Sequence, residues 1–154
     1  MRTFASPAEL AAAVGQSLGP GPWHPVDQER VALFAEATDD YQWIHVDPER
    51  AAVGPFGGTI AHGYLTLSLL PALVTRIYRV EGVRMGVNYG LDRVRFPAPL
   101  RVGTRIRATA SIAEVTPVPG GTQVVTEVTV ESETGGKPVC AARTISRLYF
   151  EEGK

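Results

Sequence analysis

Only one cysteine stands in the 154-residue chain, Cys140. A lone thiol excludes an internal disulfide and a Cys-rich metal site; it fits a reducing compartment and reads as a small core residue. Long apolar runs are missing as well. The longest tracts fall far short of the ~18 residues a membrane span requires, and Glu9 and Gln16 lie where the apolar stretch of a signal peptide would be. The expectation is a soluble, cytoplasmic protein with no membrane partner. Nor is there an excess of one charge: 15 basic residues meet 16 acidic ones, with no basic run and no aromatic and basic interleaving. Such a surface excludes nucleic acid as a partner. Internal repeats and low-complexity segments are also lacking.

What is present suffices for one core. At 154 residues and 44% hydrophobic content, the chain is expected to form a single domain over 1–154, with 1–20 as a helical extension. In "SPAELAAAVG", Ser6 is a cap, Pro7 the first helical residue, Glu9 the partner of a capping box and Gly15 a stop. After a Gly/Pro-rich link over 18–22, Asp27 caps a second helix with Val31, Phe34, Ala35 and Thr38 on one face. Asp47, Pro48 and Glu49 start a short third helix, which "GPFGG" breaks. The stretch "TIAHGYLTLSLLPALVTRIY", 59–78, is apolar on nearly every side from Leu65 to Val74 and predicts a helix buried all round, with a kink or break near Pro71.

Beyond Val83 the period changes to two. Ile106, Ala108, Ala110 and Ile112 alternate with Arg105, Arg107, Thr109 and Ser111; Val124, Val128 and Val130 oppose Val125, Glu127 and Glu131. Residues 83–96 and 138–150 complete a predicted set of four strands. Helices first, one of them wholly apolar, then antiparallel strands: this order predicts an α+β domain whose sheet wraps the apolar helix, a hot-dog arrangement. Its open edge strand predicts a homodimer paired edge to edge, with a cleft at the boundary.

Two stretches carry chemistry. In "DDYQWIHVDPERAA", 39–52, Asp40 and His45 stand five residues apart in a loop between helices. A carboxylate can hold a water and take its proton, and an imidazole can share that water or relay the proton near neutral pH. The same two residues also read as a cap and a packed histidine. In "TIAHGY", 59–64, a loop runs into the apolar helix, and Gly63 lets a carbonyl oxygen approach a backbone N–H at the helix start. Plain steric need at a helix start explains that glycine equally well.

Together, "FAEATDDYQWIHVDPERAA" and "PFGGTIAHGYLTLSLL" closely resemble the hydratase motif of the MaoC-like dehydratase family of (R)-specific enoyl-CoA hydratases, in which Phe34, Asp40, His45, Ile60, His62 and Gly63 match the spacing. "NYGLDRVRFPAPLRVG", 88–103, is similar to the family's next strand and turn in its single-domain, nodulation-protein-N-like branch. The resemblance spans about residues 25 to 148. It implies a catalytic Asp40 and His45 that activate water, the Gly63 amide as oxyanion donor, and an acyl-CoA or acyl-carrier-protein thioester as substrate. Coenzyme A then belongs to the substrate, and neither a metal nor any other cofactor is required. Two departures stand out: Gln42 and Trp43 replace the family's Asn and Pro. Gln42, Trp43, His62, Tyr64, Arg93 and Arg95 are the remaining candidates for substrate contact, and Arg101 and Arg105 also suit phosphate oxygens. The implied activity is reversible hydration of a trans-2-enoyl thioester. The rivals are a thioesterase on the same fold and a non-catalytic acyl-binding subunit.

Overall fold

The computed structural model describes residues 1–150. Local signals set most of its element boundaries. Helix α1, Pro7–Ala12, begins where the Ser6 hydroxyl accepts from the Glu9 amide and the Glu9 carboxylate accepts from the Ala5 amide, so two donors at the helix start are satisfied. Helix α2, Gln28–Thr38, starts on Asp27, which accepts from the Arg30 amide at 2.9 Å. It buries Val31 and Ala35 and half-buries Phe34, whereas Thr38 lies exposed and bonds the Phe34 carbonyl.

Helix α3, Trp43–Val46, turns part of the expected loop into a single helical turn. Helix α4, Pro48–Ala52, is capped by the Asp47 carboxylate as the sequence predicts. The apolar segment divides into α5, Gly63–Ser68, and α6, Leu70–Val74, with the break at Leu69 and Pro71 near the start of α6. Proline lacks the N–H a continuous helix needs, but fits a helix's first turn.

The four predicted strands are β5, Val83–Arg95; β6, Thr104–Val118; β7, Gly121–Ser132; and β8, Cys140–Phe150. Four shorter ones carry too few residues to show a period: β1, Arg2–Phe4; β2, Ser17–Leu18; β3, His24–Val26; and β4, Tyr78–Val80. The main sheet runs β2-β6-β7-β8-β5 with antiparallel neighbours; β3 also pairs with β6, and β1 pairs parallel with β4 in a separate ribbon. The first twenty residues, expected as a helical extension, thus include two strands besides α1, and Phe4, Leu10, Ala13 and Leu18 join the main core.

That core lies between the broken helix and the concave sheet. Leu65, Leu69, Leu70, Leu73 and Ile77 pack with Ile106, Ala108, Ala110, Ile112, Val124, Val128 and Val130. Val125, expected on the wet face, is also buried. It lies mid-strand with neighbours on both sides, pairing Glu114 beside a register shift and Ile145. The arrangement is an α+β hot-dog fold. The helix is nevertheless not buried all round: Tyr64, Ser68, Pro71 and Ala72 are exposed. One sheet covers one side of a helix, and among the described residues nothing closes the other.

Candidate active site

The site is assembled where α2 ends, α3 turns and α5 begins. Helix α2 stops at Asp39, whose φ of +58° is the only left-handed value at a non-glycine among the described residues. Aspartate tolerates that conformation because its short side chain bonds locally. The chain therefore turns sharply, and Asp40 follows with a half-exposed carboxylate whose Oδ1 lies 3.5 Å from the Gln42 amide.

On the turn of α3, His45 is 6% exposed. Its Nδ1–H donates to the Ile60 carbonyl at 2.6 Å, which fixes the tautomer and leaves Nε2 as the free lone pair. Burial lowers the His45 pKa; the bond to Ile60 opposes this, the neighbouring His62 lowers it further and Asp40 raises it. His45 is therefore a neutral imidazole at neutral pH. Its ring stacks on that of His62, with centroids 3.8 Å apart and planes 26° from parallel.

His62 is 2% exposed. Its Nε2–H donates to the main-chain carbonyl of Asp40 at 3.0 Å, the Asp40 carboxylate lies 4.0 Å away, and Phe34 tilts against the ring at 5.1 Å. His62 is thus a packed, hydrogen-bonded histidine that also holds the backbone of Asp40. Its Nδ1 has no partner among the described residues.

One oxygen of Asp40 and one nitrogen each of His45 and His62 lie within 4.8 Å of one another. Two acceptors sharing one tetrahedral water at ordinary hydrogen-bond lengths stand about 4.6 Å apart. The spacing suits a water held between Asp40 and His45. A metal would require lone pairs converging in the ring planes, whereas these two rings lie face to face with one nitrogen of each engaged by a carbonyl. Asp47, a further conceivable ligand, caps α4 instead.

Gly63 is the first residue of α5, so no intrahelical acceptor exists for its N–H. A Cβ there would stand 2.8 Å from the Phe96 ring, which explains the glycine by close approach rather than by unusual φ. Tyr64, beside it, is 70% exposed and meets Phe96 edge to face at 6.2 Å.

The other candidates scatter. Gln42 is exposed before α3 and caps nothing. Trp43 packs against Gly54 under the Arg50 guanidinium, 4.4 Å from its ring. Arg93 and Arg95 are exposed on β5, and Arg95 bonds the Val94 carbonyl. Arg101 holds the Phe56 carbonyl at 2.6 Å, and Arg105 pairs with Glu133 at 2.7 Å, so both are engaged within the chain.

Sequence reasoning missed Gln28. Its Nε2 donates to the His45 carbonyl at 2.7 Å and its Oε1 accepts from the Thr59 hydroxyl at 2.6 Å. Its partners lie 17 and 31 residues away, and no local pattern announces such a link.

The family model for the MaoC like domain matches residues 9–136. The chain is 56% identical over 148 residues to 3-hydroxyacyl-thioester dehydratase Z of Mycobacterium tuberculosis, covering 96% of this chain and 98% of that protein. It is 47% identical to nodulation protein N of Rhizobium leguminosarum bv. viciae, covering 94% and 91%. An R-hydratase of Pseudomonas aeruginosa superposes with a TM-score of 0.72 over 96% of this chain and 88% of its own, at 24% identity, a likeness of fold. By the matched span and by these identities, the chain belongs to the MaoC-like family.

Proposed function

We propose that this chain is an (R)-specific enoyl-CoA hydratase, adding water reversibly to a trans-2-enoyl thioester to give the 3-hydroxyacyl thioester. Membership of the hydratase and dehydratase class, and so enzymatic activity as a hydro-lyase, rests on the family and on the dehydratase relative at 56% identity. The observation that carries the reading is the carboxylate of Asp40 and the neutral imidazole of His45 at one-water spacing, beside the open N–H of Gly63. Asp40 takes a proton from the water as its oxygen bonds the β-carbon. His45, bare at Nε2, holds the same water. Charge develops on the thioester oxygen and is stabilised by the Gly63 N–H more in the transition state than in the ground state. Delivery of one proton to the α-carbon, balancing the one Asp40 takes from the water, completes the addition with no net proton gained or lost, and dehydration reverses each step. One C–O and one C–H bond form as the C=C π bond and one O–H bond of water break, with no net oxidation or reduction, so the proposed chemistry calls for no redox cofactor. Asp40, His45 and the Gly63 N–H are assigned the water activation and charge stabilisation that a metal would otherwise supply.

The active unit is a homodimer. Among the described residues strand β5 pairs with β8 alone, leaving its other edge free, and Met85, Val87, Tyr89 and Leu91 are exposed along it. An unpaired edge with apolar side chains favours pairing with a second copy, which would also cover the open side of α5. Arg93 and Arg95 on that strand have no carboxylate partner among the described residues and suit the phosphates of the thioester's carrier.

The test follows enoyl absorbance with crotonyl-CoA. Wild type should consume it without releasing free thiol, whereas Asp40→Asn and His45→Ala should each lose at least ~100-fold in kcat while still binding thioester. Thiol release would favour the thioesterase reading instead. Buried Cys140, its thiol pushed up to about 11 by burial, adds no background to that thiol assay.

A further inference from the structure

Three links, two direct hydrogen bonds and one two-bond bridge through Gln28, join the segment 44–45 to the segment 59–60, and only one of them is made by a catalytic side chain. The Ile60 amide donates to the Ile44 carbonyl at 3.0 Å, the His45 ring donates to the Ile60 carbonyl at 2.6 Å, and Gln28 bridges the His45 carbonyl to the Thr59 hydroxyl. Thr59 is buried and tied to the sheet side of the molecule, since its carbonyl accepts from Val102 at 3.0 Å and the nearby Ala61 amide donates to Leu100 at 2.8 Å. The His45 side carries the water-activating pair. The Thr59 side leads through Ile60 and His62 to the Gly63 amide.

We propose that Gln28 is a positioning residue that fixes these two halves of the catalytic site relative to each other. The proposal rests on the hydratase reading of Asp40, His45 and Gly63. Its physical basis is specific. An amide side chain offers a donor and an acceptor on one rigid plane, so a single group can answer a carbonyl on one segment and a hydroxyl on the other. Held this way, the Ile60 carbonyl stays on His45 Nδ1, and Nε2 stays turned toward the water. The same constraint sets the distance from that water to the oxyanion donor three residues beyond Ile60. A shift of about 1 Å between reacting groups can cost on the order of 100-fold in rate. Gln28 touches neither substrate nor reacting atoms in this scheme. Its effect passes through the backbone of His45 and the hydroxyl of Thr59.

The experiment compares full-length wild type with Gln28→Ala, Gln28→Glu, Thr59→Val, Thr59→Ser and the double variant Gln28→Ala/Thr59→Val. Gln28→Glu keeps the shape and the acceptor but loses the donor to the His45 carbonyl, so it reports even if Gln28→Ala folds poorly. Readouts are kcat and KM with crotonyl-CoA, the pH profile of kcat/KM, and the imidazole signals of 15N-histidine-labelled protein. Expected are a ~10- to 100-fold fall in kcat with KM changed less than ~3-fold for both Gln28 variants. Thr59→Ser should restore most of what Thr59→Val loses. The double variant should be no slower than the worse single one, because both remove one link. In Gln28→Ala, which adds no charge, the acid limb of the pH profile should move to lower pH, because the Ile60 carbonyl that favours the protonated ring is no longer held on it. Unchanged kcat and an unmoved His45 Nδ1–H signal in Gln28→Glu would overturn the proposal, as would losses that add in the double variant. A wild type inactive on every enoyl thioester would instead sink the hydratase reading. The 15N-histidine spectra would still report whether Gln28 fixes the His45 ring.

Discussion

At the scale of the residue, two histidines that look alike in sequence have different work. His45 keeps a free Nε2, while His62 spends its Nε2 on the Asp40 carbonyl and serves as a platform for the His45 ring. Burial lowers the pKa of His45 below the ordinary 6.5, and burial does the same for His24, aided by Arg30 and Arg76. The sign of both pH effects follows. If neutral His45 is the working form, kcat/KM rises with pH through its lowered pKa and levels off near neutrality. For stability, the unfolded chain takes up protons on both histidines at a higher pH than the folded one does. Stability conferred by the two rings is then complete above 6.5 and is lost as pH falls below it toward the folded values. Urea midpoints between pH 7.5 and pH 5.5 should decline on acidification, and less steeply in His24→Phe. Asp40 and His45 themselves were legible in the sequence because they are close together in the chain. Gln28 was not, because its meaning lies wholly in two distant partners.

At the scale of the element, helix starts hold much of the candidate site. The start of α5 was readable from "AHGYL" as a glycine at a helix start, but the reason for the glycine was not. Phe96, one residue past β5, places its ring 2.8 Å from where a Cβ would stand. Gly63→Ala must therefore push the ring or the helix start by several tenths of an ångström. The expected result is a ~10- to 100-fold loss in kcat from a displaced oxyanion donor. Thermal stability should change little, since Phe96 is 40% exposed and can swing outward. Steady-state kinetics beside a melting curve check this; a large fall in Tm with kcat unchanged would contradict it. The break between α5 and α6 was likewise readable, since Pro71 removes a donor wherever it sits. That the helix would show a bare stripe was not, because its pattern is apolar on every side.

At the scale of the whole molecule, the free edge of β5 and the open side of α5 are two uncovered surfaces. Among the described residues, nothing covers either. Homodimerisation answers both, and the expected solution mass is twice the 16.5 kDa of the chain by light scattering at micromolar concentration. Val87→Arg, placed on the exposed face of β5, should shift that mass toward the monomer and lower activity with it. A wild type that stays monomeric at those concentrations would refute the dimer.

The sequence by itself determined the helix caps, the four long strands and the family, because these rest on contacts within a few residues, on period and on a spaced motif. Capping side chains reach only three or four positions, and alternation along a strand shows which face is dry. Only the tertiary structure decided that His62 grips the Asp40 backbone, that Arg101 and Arg105 are already engaged, and that Gln28 joins His45 to Thr59. Those contacts link segments 17 to 45 residues apart. Nothing in local composition encodes them; they exist once the core has brought the segments together.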